Sequence, residues 1–352
     1  MSKIDVFFNA MLERGASDLH ISTGATPMIR RHGEMVAISQ KILTAQNTQD
    51  ILLELLDEQK AQKFKETRDI DFAHEFGEYR LRVNLFHQRK GMAAVFRVIP
   101  AKILTVQDLN LPPQILKLAE FKKGLVLVTG ATGSGKSTTL AALVDHINAT
   151  RKEHILTVED PIEFVHQNKL CLINQREVST HTKSFASALR AALREDPDII
   201  LVGEMRDLET IELAITAAET GHLVFGTLHT ASAPKTVDRI INVFPVTQQE
   251  QIRTMLAESL RGVIAQNLIK KADGNGRVAA LEILIATSAS NNLIREGKTY
   301  QLVSVIQTGK RDGMQTMDQA IMEHLMAKRI TPEDAYAYAV EKKQFESFLK
   351  KP

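Results

Sequence analysis

A glycine-rich segment, GATGSGKST at residues 130–138, has the residue types and the spacing that bind phosphate groups. It fits the pattern GxxxxGK[ST] and follows the apolar run GLVLV, so a strand is predicted before it and a helix after it. Glycines allow the backbone N–H groups to turn into one concavity at the positive end of that helix. In such a loop Lys136 reaches the outer phosphates and the Ser137 hydroxyl holds Mg²⁺.

The alternative for this segment is a glycine turn that only joins a strand to a helix. The complete pattern in a strand–loop–helix context favours phosphate binding. The residues predicted to surround the phosphates are Gly130, Ala131, Thr132, Gly133, Ser134, Gly135, Lys136, Ser137 and Thr138.

Carboxylates stand at the ends of the next two apolar runs. Glu159 and Glu163 belong to TVEDPIEF, and Glu204 ends DPDIILVGE. A carboxylate beside a phosphate-binding strand can hold Mg²⁺ directly or through water, and a carboxylate can also orient and deprotonate a water molecule. For each of these acids the alternative is a helix cap or a solvated strand end.

Two histidines bracket the fourth apolar run, HLVFGTLHT. His222 and His229 are seven positions apart with no cysteine nearby, a spacing that is poor for zinc. At a strand end, a histidine can sense a γ-phosphate through a hydrogen bond. The alternative is a histidine satisfied at the edge of the sheet.

Two arginines stand in predicted strands of the first hundred residues. Arg97 shares its alternation face with Val95 and Ile99, and Arg82 lies in YRLRVNLF. A guanidinium on an apolar strand face needs a bidentate partner. That partner is either a nearby carboxylate or a nucleotide phosphate from a neighbouring subunit.

The predicted secondary structure that positions these residues changes in pattern near residue 100. Residues 1–100 combine helical spacing at 4–14 and 47–66 with strand alternation, and so predict a small α+β domain. Residues 101–113, with Pro112 and Pro113, predict a linker.

Residues 114–352 carry short continuous apolar runs separated by helical segments, which is typical of strands buried on both faces of a parallel sheet. Beyond about residue 247 the pattern predicts mostly helix, with one more strand near 278–285, and a helical region is expected from about 290. The sequence TPED at 331–334 predicts the start of a helix.

The composition argues against several classes of protein. With 44 Lys and Arg against 42 Asp and Glu, the formal charge of +2 argues against a nucleic-acid partner, which requires a concentrated basic face. A single cysteine in 352 residues excludes an internal disulfide and fits a reducing cytosol. We expect neither a signal peptide nor a membrane span, because no apolar run approaches about 20 residues.

In this order, GATGSGKST, VEDPIEF, DPDIILVGEMRDLET and TGHLVFGTLHT resemble the Walker A, aspartate box, Walker B and histidine box of the type II/type IV secretion ATPases. The resemblance covers essentially the whole chain. It implies an α/β fold: a RecA-like P-loop ATPase domain with a mainly parallel sheet, preceded by a smaller α+β (PAS-like) domain and followed by a helical tail. It also implies a homohexameric ring that hydrolyses ATP with Mg²⁺, each ATP lying between the two domains of one subunit.

The same resemblance implies roles for the candidate residues. Glu204 would be the Walker B acid and, with Ser137, would hold Mg²⁺. Glu163 would be the catalytic carboxylate, with Glu159 as the second candidate. The residues implied to contact nucleotide from the histidine box and from the first domain are His222, His229, Arg82 and Arg97.

Two features indicate the branch of the family. One cysteine cannot supply the tetracysteine zinc insertion usual in extension and secretion ATPases, and we expect no extra N-terminal domain. SNNLIREGKTYQL at 290–302 is similar to the C-terminal motif of the branch that retracts type IV pili, and residues 305–320 extend the likeness. This implies a twitching-motility motor docked peripherally on an inner-membrane platform protein at the cytoplasmic face. An accessory retraction ATPase, a short secretion ATPase and, from another class, a nucleic-acid translocase remain alternatives.

Overall fold

Buried apolar side chains gather in separate clusters, and the chain divides accordingly into two units. The N-terminal unit comprises residues 1–102 with 161–164, and the C-terminal unit comprises 103–160 with 165–352. The structure, a computed structural model, describes residues 2–31, 33–77, 79–99 and 102–349. Ala101, at the start of the predicted linker, lies outside the described residues.

The N-terminal unit packs its helices on an antiparallel sheet with the strand order β3–β2–β1–β6–β5–β4. On β5 the predicted alternation is confirmed, since Leu81, Val83 and Leu85 are all buried. The elements are α1 (Asp5–Glu13), β1 (Asp18–Ser22), β2 (Met28–Arg31), β3 (Glu34–Ala37), α2 (Ala45–Leu53), α3 (Glu58–Thr67), β4 (Asp69–Phe76), β5 (Tyr79–Gln88) and β6 (Gly91–Ile99).

The helical spacing at 47–66 gives two helices rather than one continuous helix. The Asp57 side chain accepts a hydrogen bond from the Lys60 N–H and so begins α3, which separates it from α2. Such a cap satisfies a backbone donor that a helix start leaves unpaired, and it favours a new helix over a continued one.

The C-terminal unit is built on a mainly parallel sheet with the strand order β13–β12–β7–β11–β10–β8–β9. Only the β12–β13 pair is antiparallel among the described strands of this sheet. The elements are α4 (Leu116–Glu120), β7 (Gly124–Thr129), α5 (Lys136–Thr150), β8 (His154–Glu159), β9 (Leu172–Glu177), α6 (Phe185–Ala192), β10 (Ile199–Val202), α7 (Leu208–Glu219), β11 (Leu223–Leu228), α8 (Ala233–Asn242), α9 (Gln249–Ser259), β12 (Leu260–Lys270), β13 (Arg277–Ile285), α10 (Ser288–Arg295), α11 (Leu302–Thr308), α12 (Met317–Met326) and α13 (Pro332–Tyr338).

The predicted α/β fold with a mainly parallel sheet and a helical C-terminal region is confirmed. Every residue of β7, β10 and β11 is buried, as the continuous apolar runs predict. Thr331 caps α13 by accepting a hydrogen bond from the Asp334 N–H, so the predicted helix start is also confirmed.

The prediction of mostly helix after residue 247 is wrong for residues 260–270. They form β12, which pairs in parallel with β7 and antiparallel with β13. The apolar residues of this segment suit a strand and a buried helix equally, and only pairing with β7 decides between them. None of the described helices is long and apolar enough to cross a membrane.

The lone cysteine, Cys171, lies in the interior of the C-terminal unit. Its thiol donates to the Arg151 carbonyl at 3.1 Å, and burial raises its pKa above the usual value. Since the thiolate is the nucleophile, a raised pKa makes this thiol slow to react.

The burial of β11 generates a test of the core. Phe225→Ala removes a fully buried ring and is expected to lower the free energy of unfolding by about 3–5 kcal/mol. Urea unfolding followed by circular dichroism measures this change. Val246→Ala is the control, since its side chain is 84% exposed and its loss should cost less than about 0.5 kcal/mol. Equal destabilisation by the two substitutions would contradict the fold.

Candidate functional site

The loop between β7 and α5 needs its glycines for conformation and for space. Gly130, Gly133 and Gly135 have φ values of 143°, 77° and 88°, in the range that side chains disfavour. A Cβ on Gly130 would collide with the Gln266 carbonyl, and one on Gly135 would lie 2.7 Å from the Gln266 amide nitrogen. The backbone therefore forms a cradle that a side chain at Gly130 or Gly135 would obstruct.

Lys136 begins the helix that follows the loop. Its ammonium donates hydrogen bonds to the carbonyls of Gly130 at 2.9 Å and Ala131 at 3.1 Å. The cation is thus held over the loop, at the positive end of α5, where negative charge is favoured. Ser137 lies beside it in the first turn and is partly exposed.

Two buried hydroxyls at the loop have capacity for further hydrogen bonds. The Thr129 Oγ1 and Ser134 Oγ atoms have no hydrogen-bond partner within the described ranges. A glycine cradle, a lysine ammonium and hydroxyl donors together are the groups that bind a nucleotide's phosphates. The residues present therefore fit the nucleotide that the motif predicts.

Gln266, on β12, supports the loop, and no sequence motif indicates it. Its amide nitrogen donates to the Ser134 carbonyl at 2.7 Å, and its amide oxygen accepts from the Thr139 hydroxyl at 2.7 Å. The side chain is 3% exposed, so both bonds are shielded from water. Gln266 thereby joins the loop to α5, and only recognition of β12 as a strand beside β7 could have indicated it.

Glu204 and His229 meet at the carboxyl ends of neighbouring strands. β10 and β11 are parallel neighbours, and His229 Nε2 lies 2.9 Å from Glu204 Oε1. Arg206 also pairs with this carboxylate. Burial raises the pKa of Glu204, but the hydrogen bonds and charges of Arg206 and His229 outweigh it and hold the pKa below its usual value. Glu204 is therefore ionised at neutral pH, as a ligand of Mg²⁺ must be.

The other two acids differ in their surroundings. Glu159 ends β8, and its carboxylate accepts from the Thr157 hydroxyl at 2.7 Å and the Gln175 amide at 3.2 Å. Glu163 is exposed, in the irregular segment between β8 and β9. Glu159 is thus fixed by its neighbours at the end of the strand. Their predicted catalytic roles stay predictions.

His222 lies away from the loop. It precedes β11, at the amino end of the strand, where its Nδ1 contacts the Ala217 carbonyl at 2.9 Å. The carboxyl end of β11 carries His229, and six strand residues separate the two histidines by about 20 Å. His222 thus lies at the end of β11 away from the loop of its own chain, and its predicted nucleotide contact stays a prediction.

Arg82 and Arg97 face each other across β5 and β6, on the face of the sheet opposite Leu81, Val83 and Phe96. Arg97 Nε donates to Asp18 Oδ1 at 2.7 Å, and Arg82 Nε lies 3.8 Å from Asp71 Oδ1. Each arginine has a carboxylate within its own unit. The side chain of Arg97 is 65% exposed and that of Arg82 is 43% exposed, so both stay accessible to a further anion.

The fold and the loop together define the class of this protein: a P-loop nucleotide-binding protein with acidic residues at the neighbouring strand ends. A family model described as type II/IV secretion system protein matches residues 2–304. The chain belongs to this family.

Individual relatives resemble the chain over most of its length. A twitching motility protein of Neisseria gonorrhoeae is 56% identical over 311 residues, which are 88% of this chain and 83% of the relative. The type IV pilus retraction ATPase PilT of Pseudomonas aeruginosa is 55% identical over 317 residues, which are 90% and 92% of the two chains. A crystal structure described as the pilus retraction motor PilT with bound ADP matches with a TM-score of 0.92 and 47% identity, covering 99% of each chain.

The role of Gln266 generates a prediction for nucleotide affinity. Gln266→Leu keeps the approximate size of the side chain but leaves the Ser134 carbonyl and the Thr139 hydroxyl without this partner. Without these bonds the loop is held less firmly in its binding conformation before ATP arrives, so the affinity for ATP should fall about tenfold. Titration with a fluorescent ATP analogue measures this loss. Gln315→Leu is the matched control, because it removes an amide that donates to the Leu281 carbonyl. Equal affinities for the unaltered chain and Gln266→Leu would refute the role.

Proposed function

We propose that this chain is a motor that hydrolyses ATP to power retraction of type IV pili, and so drives twitching motility. The observation that carries the proposal is the match, over 99% of each chain, to a structure described as the pilus retraction motor PilT with bound ADP. The chain is an ATPase by its family and by its complete P-loop. ATP is its nucleotide.

The chain's own residues bind and orient the nucleotide. The backbone of Gly130 to Thr138 surrounds the phosphates, and Lys136 neutralises their charge. The Ser137 hydroxyl and the Glu204 carboxylate would hold Mg²⁺, directly or through water. When bound, this ion neutralises charge that develops on the phosphate oxygens. One or two protein ligands suit Mg²⁺, because it retains waters and phosphate oxygens in its coordination shell.

Hydrolysis further requires a base and a sensor of the terminal phosphate. We assign the base to Glu163, which can accept a proton from the attacking water, with Glu159 as the second candidate. His229 is assigned to sense the phosphate, because it is held at the strand end by Glu204. Arg82 and Arg97 would contact the phosphates of a neighbouring subunit.

The proposed assembly is a homohexamer at the cytoplasmic face of the inner membrane. It would dock peripherally on the platform protein of the pilus machinery and use no nucleic acid. Residues 1–100 and 114–352 would act as separate domains joined by the linker at 101–113. Closure of domains around a ligand is an ordinary way to convert nucleotide binding into movement.

The catalytic assignments are tested by paired substitutions. Lys136→Ala should lose tight ATP binding, because the phosphate charge loses its cation. Glu163→Gln should bind ATP but turn over about 10²–10⁴-fold more slowly, because an amide cannot act as a base. Nucleotide binding and steady-state ATPase activity distinguish the two. Near-normal turnover of Glu163→Gln would move the role to Glu159 or Glu204.

Arg295 and Glu296 provide a test of how ATP hydrolysis is coupled to pilus retraction. Ile294 is fully buried, whereas Arg295 contacts Asn292 at 2.9 Å and Glu296 contacts Lys298 at 2.8 Å, both on the surface. Because these contacts are local, changing Arg295 and Glu296 to alanine should preserve folding and ATPase activity. Retraction should be lost, because residues 290–302, which contain this pair, are similar to the C-terminal motif of the branch that retracts pili.

The measurement is twitching of a deletion strain that carries either the unaltered or the double-substituted gene, beside the ATPase activity of both purified chains. The deletion strain itself should keep its pili and lose twitching. Alanine substitution of the exposed Arg190–Glu209 pair is the control and should preserve twitching. Loss of secretion with twitching intact in the deletion strain would contradict the proposed function.

A further inference from the structure

A buried carboxylate, Glu282, lies at the junction of the two apolar clusters of the C-terminal unit. Its neighbours on β13, Leu281 and Ile283, belong to the main core, whereas Ala280 belongs to the cluster formed with α12 and α13. Glu282 is 7% exposed, and it does not belong to the phosphate-binding loop. A charged group in such a place requires compensating donors.

A hydrogen bond from the start of one helix, and the nearby start of a second helix, supply that compensation. The Ala233 N–H, the first of α8, donates to Glu282 Oε1 at 2.7 Å. The Met317 N–H, the first of α12, lies near the same carboxylate and favours its charged form. Burial raises the pKa of Glu282 above its usual value, and these two donors oppose that rise. A carboxylate at the positive ends of two helices satisfies the first N–H of α8 and is favoured by the dipoles of both helices.

The first of these helices follows directly from His229. Only Thr230, Ala231 and Ser232 separate this histidine from Ala233. Within the short connection the Thr230 hydroxyl contacts the Thr236 hydroxyl at 2.7 Å. The position of Ala233 therefore constrains His229, whose ring contacts Glu204.

The second helix is tied to β13 independently of Glu282. The backbone of Gln315 exchanges hydrogen bonds with Ile283 at 2.9 and 3.2 Å, just before α12 begins. Gln315 and Met317 are thus held on β13, and Glu282 connects the start of α8 to the same point. The carboxylate is a bridge between the connection that carries His229 and the C-terminal helices.

We propose that Glu282 is a positioning residue for His229 and joins the His229 connection mechanically to α12. Movement of His229 at the phosphate would then shift α8 against α12 through one shared carboxylate. The inference rests on the proposed function, because it assigns the phosphate contact to His229.

Glu282→Gln tests the bridge with little change in size. The amide carries no negative charge and has one acceptor oxygen instead of two, so its interaction with the two helix starts weakens. We expect kcat for ATP to fall about tenfold or more, as for a lost charged hydrogen bond, with KM changed less than about twofold because the Lys136 loop is intact. Hydrogen–deuterium exchange should become faster at residues 229–240, at 316–320, or at both.

A matched control variant distinguishes a specific effect on the position of His229 from a general loosening of the C-terminal helices. Asp318 is a carboxylate that accepts from two backbone N–H groups, those of Val340 and Glu341, both at 2.8 Å. Asp318→Asn should loosen the C-terminal helices but preserve kcat. In a His229→Ala background, Glu282→Gln should lower kcat by less than about twofold further. An equal loss in Asp318→Asn, or an undiminished loss in the His229→Ala background, would overturn the proposal.

The unaltered chain provides a second measurement if Glu282→Gln does not fold. Adding Mg²⁺ with a non-hydrolysable ATP analogue should change exchange at 229–240 and 316–320 together. A change at the first segment without the second would refute the bridge. Absence of ATPase activity in the unaltered chain would refute the proposed function instead, and the exchange measurement would still decide the role of Glu282.

Discussion

The whole site depends on one constraint, the parallel alignment of β7, β11, β10 and β8. Because these strands run in the same direction, their carboxyl ends reach one edge of the sheet. Residues far apart in the sequence, Gly130, Glu159, Glu204 and His229, each follow or end one of these strands. Burial on both faces fixes the strands so firmly that the connections after them can be polar without loss of the fold.

Hydrogen bonds from neighbouring side chains then determine where the functional groups point. Gln266 ties the phosphate-binding loop to α5, and Gln175 contacts Glu159. Glu204 and His229 orient each other. Such supporting bonds matter because a site gains most from groups that are held in place before the ligand arrives.

The sequence predicts much of this arrangement, because local patterns carry its signal. The glycine loop, the buried strands before Gly130 and His229, and the alternation on β5 were all accessible from spacing and residue type. β12 was not, since its apolar residues suit a helix as well, and Gln266 was missed along with it. The two histidines differ in another way: the sequence already places a strand between them, and the strand pairing shows that His229, not His222, lies at the edge that carries the phosphate-binding loop. Pairing between distant strands, which no local window contains, decides the case of β12.

The buried thiol of Cys171 has a practical consequence for observing movement in this protein. It is the only sulfhydryl of the chain, and its enclosure and raised pKa keep it from reacting readily with maleimide reagents. A cysteine introduced at an exposed position, such as Val246 or Tyr300, would therefore take up a fluorophore or a spin label selectively, and Cys171 would not need to be replaced. Distances between labelled positions could then be followed during turnover in a chain that is otherwise unaltered.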